Sequence, residues 1–157
     1  MRLPFYPHFP EAKIEHLIES VRIQSADFSV EEEVARIKAI SNRIGGIVTF
    51  LGTARDFSKG HSVVKLTFEH YANMAEQAMR KIRERALEKF DIVAVTIIHR
   101  VGVIEIGENI VLIVVGAEHR QDAFTACAWC IDELKKTVPI WKREETVNGD
   151  IWVDERP

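Results

Sequence analysis

The sequence predicts an α+β fold with a mainly antiparallel sheet, flanking helices and a C-terminal hairpin. Three stretches carry apolar residues at helical spacing, and shorter runs of β-branched and apolar residues lie between them. Glycine-containing turns separate several of these runs, as antiparallel hairpins require. Helices interspersed among antiparallel strands are typical of the α+β class.

Length and composition indicate one globular domain. The 157 residues are 46% hydrophobic, which is enough apolar material for one core, so we expect a single domain over residues 1–157. The net charge of −3 argues against a general nucleic-acid-binding protein, whose surface would be basic. No stretch reaches the roughly 20 apolar residues of a membrane span. We therefore expect a cytoplasmic protein that binds neither membrane nor nucleic acid.

The first quarter of the chain is predicted to hold an arm, a strand and a helix. Residues 1–20 form an N-terminal arm or extension, in which three prolines disfavour regular structure and residues 11–20 are compatible with a short helix. Residues 21–24 alternate as a strand. Ser29 and Glu32 form a capping-box pattern that opens a helix, and Gly45-Gly46 is expected to end it. Its predicted inner face comprises Val30, Val34, Ile37, Ser41 and Ile44.

The middle of the chain predicts two strands, a loop and a second helix. Residues 47–51 predict a buried strand, and residues 63–71 alternate as another. Between them, residues 52–61 form a polar loop whose glycines would let the backbone approach a ligand, or simply a solvated hairpin loop. Asn73 and Glu76 are expected to cap the next helix. Its apolar residues are Ala75, Met79, Ile82, Ala86 and Phe90.

The last third predicts two hairpins around a long helix. Residues 92–101 and 110–117 should pair as a hairpin through the turn at 107–109, and Asn148-Gly149 should form the turn of a C-terminal hairpin. The helix between them begins at Arg120. Its predicted apolar stripe comprises Phe124, Cys127, Ala128, Ile131, Leu134 and Val138.

Two adjacent lysines near the end of that helix are expected to differ. Lys135 continues the apolar stripe, whereas Lys136 turns about 100° away from it. Pro139 stops the helix, and Trp141 precedes a second cationic pair, Lys142-Arg143. Lysines in a last helical turn complement the helix dipole. Cations that are held beside a large apolar side chain, however, indicate an anion site.

Other chemistry-bearing motifs point less clearly to function. Cys127 and Cys130 match C-x-x-C, but they lie in mid-helix, where the dipole hardly activates a thiol, so packing is the better interpretation. The six histidines form no close ligand pair, and we expect no metal. His119-Arg120 at a helix start suits an anion, although a capping or core role for His119 explains it equally well. His99-Arg100 is interpreted as structural.

Several segments, in order, resemble the MoaE family, the large catalytic subunits of molybdopterin synthases. The resemblance covers the chain from about Val21 to its C-terminus. Thr53 departs from it, since a basic residue is common there in the family. The segments are residues 45–55, 66–71, 98–102, 117–120, 134–144 and 149–153.

The resemblance implies a dimeric protein of the α/β hammerhead type that acts as a sulfurtransferase in molybdenum cofactor biosynthesis. Two copies of a small ubiquitin-like subunit of the MoaD type would complete a heterotetramer. Each would insert a Gly-Gly tail that ends in a thiocarboxylate, the sulfur donor that converts cyclic pyranopterin monophosphate into the molybdopterin dithiolene. We expect no cofactor.

The resemblance also implies roles for individual residues. Lys135 and Lys142 would be the catalytic pair, with Lys135 contacting the donor terminus and Lys142 moving a proton or stabilising charge. Arg55, His119, Arg120 and Arg143 would hold the substrate, Thr53 and Ala54 would offer backbone contacts, Glu144 would orient a neighbour, and Arg156 would complete the pocket. The alternative that composition allows is a noncatalytic anion-binding or scaffold domain.

Overall fold

The computed structural model describes residues 20–153, which contain three helices and ten strands. The predicted arm and short helix before residue 20, and Arg156, lie outside the described residues. The helices are α1 (Val30–Ile40), α2 (Ala72–Lys89) and α3 (Arg120–Thr137). The strands are β1 (Val21–Gln24), β2 (Gly46–Thr53), β3 (Phe57–Ser58), β4 (His61–Ser62), β5 (Lys65–His70), β6 (Ala94–Arg100), β7 (Gly102–Glu105), β8 (Asn109–Ala117), β9 (Ile140–Thr146) and β10 (Gly149–Val153).

The larger sheet is covered by helices on both faces. Its strand order is β1-β6-β8-β2, and the pairs are antiparallel except for β1 with β6. Successive side chains of β8 point to opposite faces, so Ile113 joins the core formed with α2 and α3, while Leu112 joins the core formed with α1. Burial on both faces explains why β8 is almost continuously apolar, and every residue of the neighbouring β6 is buried as well.

The second sheet, with order β10-β9-β5-β7, packs through a smaller core that includes Leu66, Phe68 and Ile104. The chain enters it directly from the larger sheet, because Gly102 takes a positive φ of 85° at the start of β7. Strands β6 and β8 are therefore neighbours but not a hairpin, and the turn at 107–109 joins β7 to β8. The prediction that these two strands pair was confirmed, but the prediction that the turn at 107–109 joins them directly was wrong.

Two helix boundaries also differ from the sequence prediction. Ser29 caps α1 as expected, by accepting a hydrogen bond from the Glu32 backbone N–H, but the helix ends at Ile40 rather than at Gly45-Gly46. Gly45 already belongs to the sheet region, since its N–H donates to the Ala117 carbonyl at 2.9 Å. Helix α2 has Tyr71, not Asn73, at its N-cap position.

The remaining strands follow the predicted pattern closely. β1 spans the predicted residues, and β2 exists but is an edge strand that is only half-buried. In the C-terminal hairpin Thr146 pairs with Gly149, so Val147-Asn148 forms the two-residue loop, one position earlier than expected. None of the helices within residues 20–153 has the length and apolar character needed to cross a membrane.

Candidate active site

A cleft of about 800 Å³ lies where the C-terminal end of α3 meets the end of β2 and the second sheet. Apolar side chains from several elements form much of its wall, among them Leu66, Phe68, Ile131, Val138 and Trp141. Its charged lining residues are Arg55, Lys135, Lys136, Lys142 and Glu144. Among the described residues, four cations and one carboxylate thus line a concavity with both polar and apolar walls, which suits an anionic ligand of small size.

The cleft exists because α3 stops abruptly and the chain turns into β9. The Val138 N–H donates to the Leu134 carbonyl at 3.1 Å, which closes the last turn of the helix. Pro139 cannot continue a helix, and its carbonyl accepts from the Tyr71 N–H at 3.3 Å. This turn brings Lys135 on α3 and Lys142 on β9 to the same cleft.

The buried face of α3 is rotated relative to the predicted stripe. Its buried residues are Ala123, Ala126, Cys127, Cys130 and Leu134. Phe124 is 62% exposed and Ala128 is exposed as well, because α3 must pack against α2 as well as the sheet. Lys135 therefore lies on an exposed face, and Lys136 lines the same cleft. The expected contrast between the two lysines is smaller than their spacing implied.

Glu144 is the buried anion of the cleft, with a side chain only 1% exposed. Its Oε2 lies 2.8 Å from His61 Nε2, and its Oε1 lies 3.5 Å from Lys142 Nζ. Burial opposes ionisation of this carboxyl, but hydrogen bonds from His61 and Ser58 and the charge of Lys142 outweigh that effect and lower its pKa. Glu144 is thus a fixed carboxylate at neutral pH.

His61 and Ser58 reach Glu144 from a tight hairpin that the sequence interpretation did not single out. Strands β3 and β4 pair Ser58 with His61 across the intervening Lys59-Gly60. Both turn residues have positive φ, 46° and 86°, as a type I′ turn requires. The Lys59-Gly60 pair within the polar loop was the available signal for this turn.

The segment after β2 contributes side chains but not the expected backbone contacts. The pairing of β2 with β8 is irregular at Gly52/Thr53, and a bulge of this kind re-aims the chain at a sheet edge. Thr53 and Arg55 line the cleft, whereas Ala54 is buried. The Ala54 N–H donates to Glu108 and its carbonyl accepts from Gly107, so Ala54 holds the 107–109 turn instead of a ligand.

Arg143 does not line the cleft. Lys142 and Glu144 do, and Arg143 lies between them on β9 with its side chain on the opposite side of the strand, although its cross-strand neighbour Trp152 is a lining residue. There its guanidinium lies 3.4 Å from Asp150 and stacks 5.8 Å from the centre of the Trp152 ring. Arg143 is not among the residues that line this cleft, and its role in holding the substrate stays a prediction.

His119 and Arg120 lie at the opposite end of α3, in a shallow concavity with Gly45, Glu118 and Gln121. Fifteen residues of helix separate Arg120 from Lys135, or about 22 Å at 1.5 Å per residue. His119 occupies the N-cap position, but within the described part of the chain its side chain makes no capping hydrogen bond. It is also exposed, so neither structural alternative for His119 holds.

The cysteines are inert packing residues, as expected. Cys127 and Cys130 are free and buried. Burial raises the pKa of the Cys127 thiol to about 11 and that of Cys130 to about 12, so neither is a thiolate at neutral pH. Within residues 20–153, no group of three or more histidine, cysteine or carboxylate side chains is placed to hold a metal ion.

Arg100 has a structural role, whereas His99 also lines the cleft. Arg100 is buried and donates to the backbone carbonyls of Ser25 and Asn109, which ties β6 to the residue after β1 and to the start of β8. His99 is buried too, with its Nδ1 2.6 Å from the Arg100 carbonyl and its ring edge-on to Phe68. Its other side forms part of the cleft floor.

These features define an α+β protein with a preformed, cation-lined cleft that suits an anionic substrate or peptide tail. The sequence profile of the MoaE protein family matches residues 23–137. A molybdopterin synthase catalytic subunit from Pyrococcus abyssi is 50% identical over 128 residues, which are 82% of this chain and 85% of that protein. The chain belongs to the MoaE family, which confirms the resemblance.

Solved structures confirm the α+β class. The crystal structure of molybdopterin synthase from Staphylococcus aureus aligns with a TM-score of 0.78 and 32% identity, covering 85% of this chain and 96% of that one. A complex of subunits 1 and 2 of molybdopterin-converting factor from Helicobacter pylori aligns with a TM-score of 0.70, covering 87% of this chain and 92% of that one. At 22% identity, that likeness concerns the fold alone.

Proposed function

We propose that this chain is the catalytic subunit of a molybdopterin synthase. It would transfer sulfur from the thiocarboxylated C-terminus of a small ubiquitin-like subunit to cyclic pyranopterin monophosphate, which becomes the dithiolene of molybdopterin. The observation that carries the proposal is the meeting of Lys135 and Lys142, from two different elements, in one cleft of a MoaE-family chain.

The charges of the cleft match the chemistry of this transfer. A thiocarboxylate is already anionic, so the cleft does not need a base to generate the sulfur nucleophile. It needs cations that hold the tail and that stabilise negative charge as the substrate reacts. Lys135, exposed at the mouth on α3, would contact the donor terminus. Lys142, whose side chain is 15% exposed, would move a proton or stabilise charge deeper in the cleft.

The apolar walls increase the effect of those cations. Leu66, Phe68 and Ile131 present apolar surface to the cleft, and charge interactions beside such surface become stronger when a bound substrate displaces water. A volume of about 800 Å³ falls within the range of small-molecule sites, with room for a pterin and the end of a narrow tail. A tail of two glycines, which lacks side chains, suits such a confined space.

The substrate phosphate would be held by cations from two copies of the chain. Arg55 lines the cleft, but Arg120 and His119 lie about 22 Å from Lys135 along α3 and cannot join it within one chain. In a homodimer they would reach the cleft of the other copy. The exposure of both side chains at a helix N-terminus, where backbone N–H groups also favour anions, supports this role.

A small sulfur-carrier subunit is the proposed partner, in a heterotetramer built on the homodimer. The Helicobacter pylori neighbour, which shares the fold, is a complex of two subunits of molybdopterin-converting factor, so this fold is compatible with a partner subunit. We also propose a cytoplasmic location, in keeping with two free thiols that are not joined in a disulfide.

A reconstitution assay tests the proposed function. The purified chain is mixed with a small subunit that ends in a Gly-Gly thiocarboxylate and with cyclic pyranopterin monophosphate, and the oxidised dithiolene product is measured. We expect product with the thiocarboxylate and none with the ordinary carboxylate form of the same subunit. Binding of the small subunit without product would instead support a noncatalytic scaffold.

A further inference from the structure

We propose that His61 is a positioning residue that, together with Ser58, fixes the Glu144 carboxylate and through it directs Lys142 in the cleft. This inference rests on the proposed function for its effect on turnover. The structural part of the inference, in which the β3–β4 hairpin holds the Glu144 carboxylate, does not depend on the proposed function.

The hairpin is built to present two donors to one carboxylate. The type I′ turn at Lys59-Gly60 closes directly on the Ser58–His61 pair, so both side chains leave the strands at the same level. Ser58 is buried, and His61 is half-buried. The short turn leaves the pair little freedom to separate.

Glu144 receives polar contacts from three directions. His61 approaches from β4, Ser58 from β3, and Lys142 from its own strand β9. Its cross-strand neighbours are apolar, namely Leu66 on β5 and Ile151 on β10. A buried carboxylate in such surroundings stays ionised because of its hydrogen bonds.

His61 acts on the oxygen that Lys142 does not use. It contacts Oε2, whereas the Lys142 ammonium lies near Oε1. Because Glu144 is an ionised acceptor, His61 must donate the N–H from Nε2, in either its neutral or its protonated form. Holding Oε2 fixes the plane of the carboxylate and so the place of Oε1, from which the long and flexible lysine side chain takes its direction.

A titration that needs neither partner nor substrate tests the structural part. The chain is labelled with 13C at the glutamate carboxyl carbons, and the Glu144 signal is assigned by its loss in Glu144→Gln. His61→Ala should raise the pKa of Glu144, whereas His61→Gln, which keeps an N–H donor, should leave it close to wild type. Ser62→Ala, on the exposed neighbour of His61, is the matched control and should not change it.

Kinetics of the reconstituted synthase test the consequence for Lys142. In His61→Ala we expect kcat to fall about tenfold, as for the loss of one hydrogen bond to a charged group, with little change in KM for the small subunit. The acid limb of the pH–rate profile should move to higher pH, because Glu144 is then protonated more easily. His61→Gln should restore both.

The outcomes separate the two levels of the proposal. An unchanged Glu144 pKa in folded His61→Ala would overturn the clamp itself. A raised pKa with wild-type kcat and an unmoved acid limb would overturn the positioning of Lys142. If the wild-type chain makes no product, the proposed function fails, while the titration still decides whether His61 holds Glu144.

Discussion

The two ends of helix α3 both carry cations, but within the described residues of one chain only its C-terminal end borders a deep cleft. At the C-terminal end, Lys135 and Lys136 line a deep cleft with Lys142 and the buried Glu144. At the N-terminal end, His119 and Arg120 border a shallow, exposed concavity. The first end has apolar walls and a fixed internal carboxylate, and the second has neither.

The helix dipole favours the cations at the C-terminal end of α3 and disfavours those at its N-terminal end. Lysines near a helix C-terminus are favoured by the dipole, so Lys135 and Lys136 alone would indicate little. Their meeting with Lys142, which comes from another element, indicates a site. Arg120 is a cation at the positive end of the dipole, where it is disfavoured. An anion supplied from outside the chain would remove that conflict, which is why we propose that this end serves a second copy.

The largest effect is expected at the cleft end. Lys135→Ala and Lys142→Ala should each lower kcat by about 10²–10³-fold, the usual result of removing one group that stabilises developing charge. Lys136→Ala, on a residue that lines the same cleft, should lower it less. Product formation by the reconstituted synthase measures all three, and circular dichroism checks the fold. Equal losses in the three variants would remove any distinction between the neighbouring lysines.

Stability should also distinguish the two ends of α3. Glu144→Gln should reduce the free energy of unfolding by about 1–3 kcal/mol at pH 7, because a buried charged acceptor is lost. The control is Glu118→Gln at the other end, where an exposed ion pair with Arg43 spans 3.0 Å. An exposed pair contributes about 0–1 kcal/mol, so that variant should unfold almost as wild type does.

The pH dependence of the Glu144→Gln effect follows from the direction of the pKa shift. The pKa of Glu144 in the folded chain lies below its ordinary value of 4.5. The ionised carboxylate therefore stabilises the fold above that pH, and the contribution is lost as pH falls through the folded pKa. In urea titrations, the difference between wild type and Glu144→Gln should be full at pH 7 and shrink below about pH 4.5. A difference that grew on acidification would contradict this assignment.

The middle of α3 should matter for stability alone. Cys127→Ala and Cys130→Ala should each cost about 1 kcal/mol of stability, typical of a small change in a core, and leave kcat unchanged. Both thiols should react with a disulfide reagent slowly in the native chain and quickly in urea, since burial raises their pKa values to about 11 and about 12. Loss of turnover in a stable variant would imply that the cysteine thiols take part in the sulfur transfer.

Local features of the site were predictable from sequence, whereas long-range ones were not. Pro139 separates Lys135 from Lys142 by a single turn, so their convergence could be predicted from neighbouring residues. The contact between His61 and Glu144 spans 83 positions and depends on the packing of the small hairpin against the second sheet. No periodicity within either segment carries that information.

Competition between packing surfaces explains the other differences. Helix α3 must cover the sheet and also contact α2, which rotated its buried face away from Phe124 and Ala128. Arg143 lies apart from the predicted cleft residues for another reason. Successive side chains of a strand point to opposite sides, so Arg143 lies opposite its neighbour Lys142. The charge of Arg143 alone does not indicate this orientation.

A mixed-dimer assay tests most directly whether the two ends of α3 serve one reaction from two copies. Chains carrying Lys135→Ala and Arg120→Ala, each nearly inactive alone, are co-expressed with different tags and assayed together. Random pairing gives mixed dimers in half of the population, each with one intact cleft, so we predict recovery of about one quarter of wild-type activity. A mixture no more active than its parents, with mixed dimers shown to be present, would contradict the account.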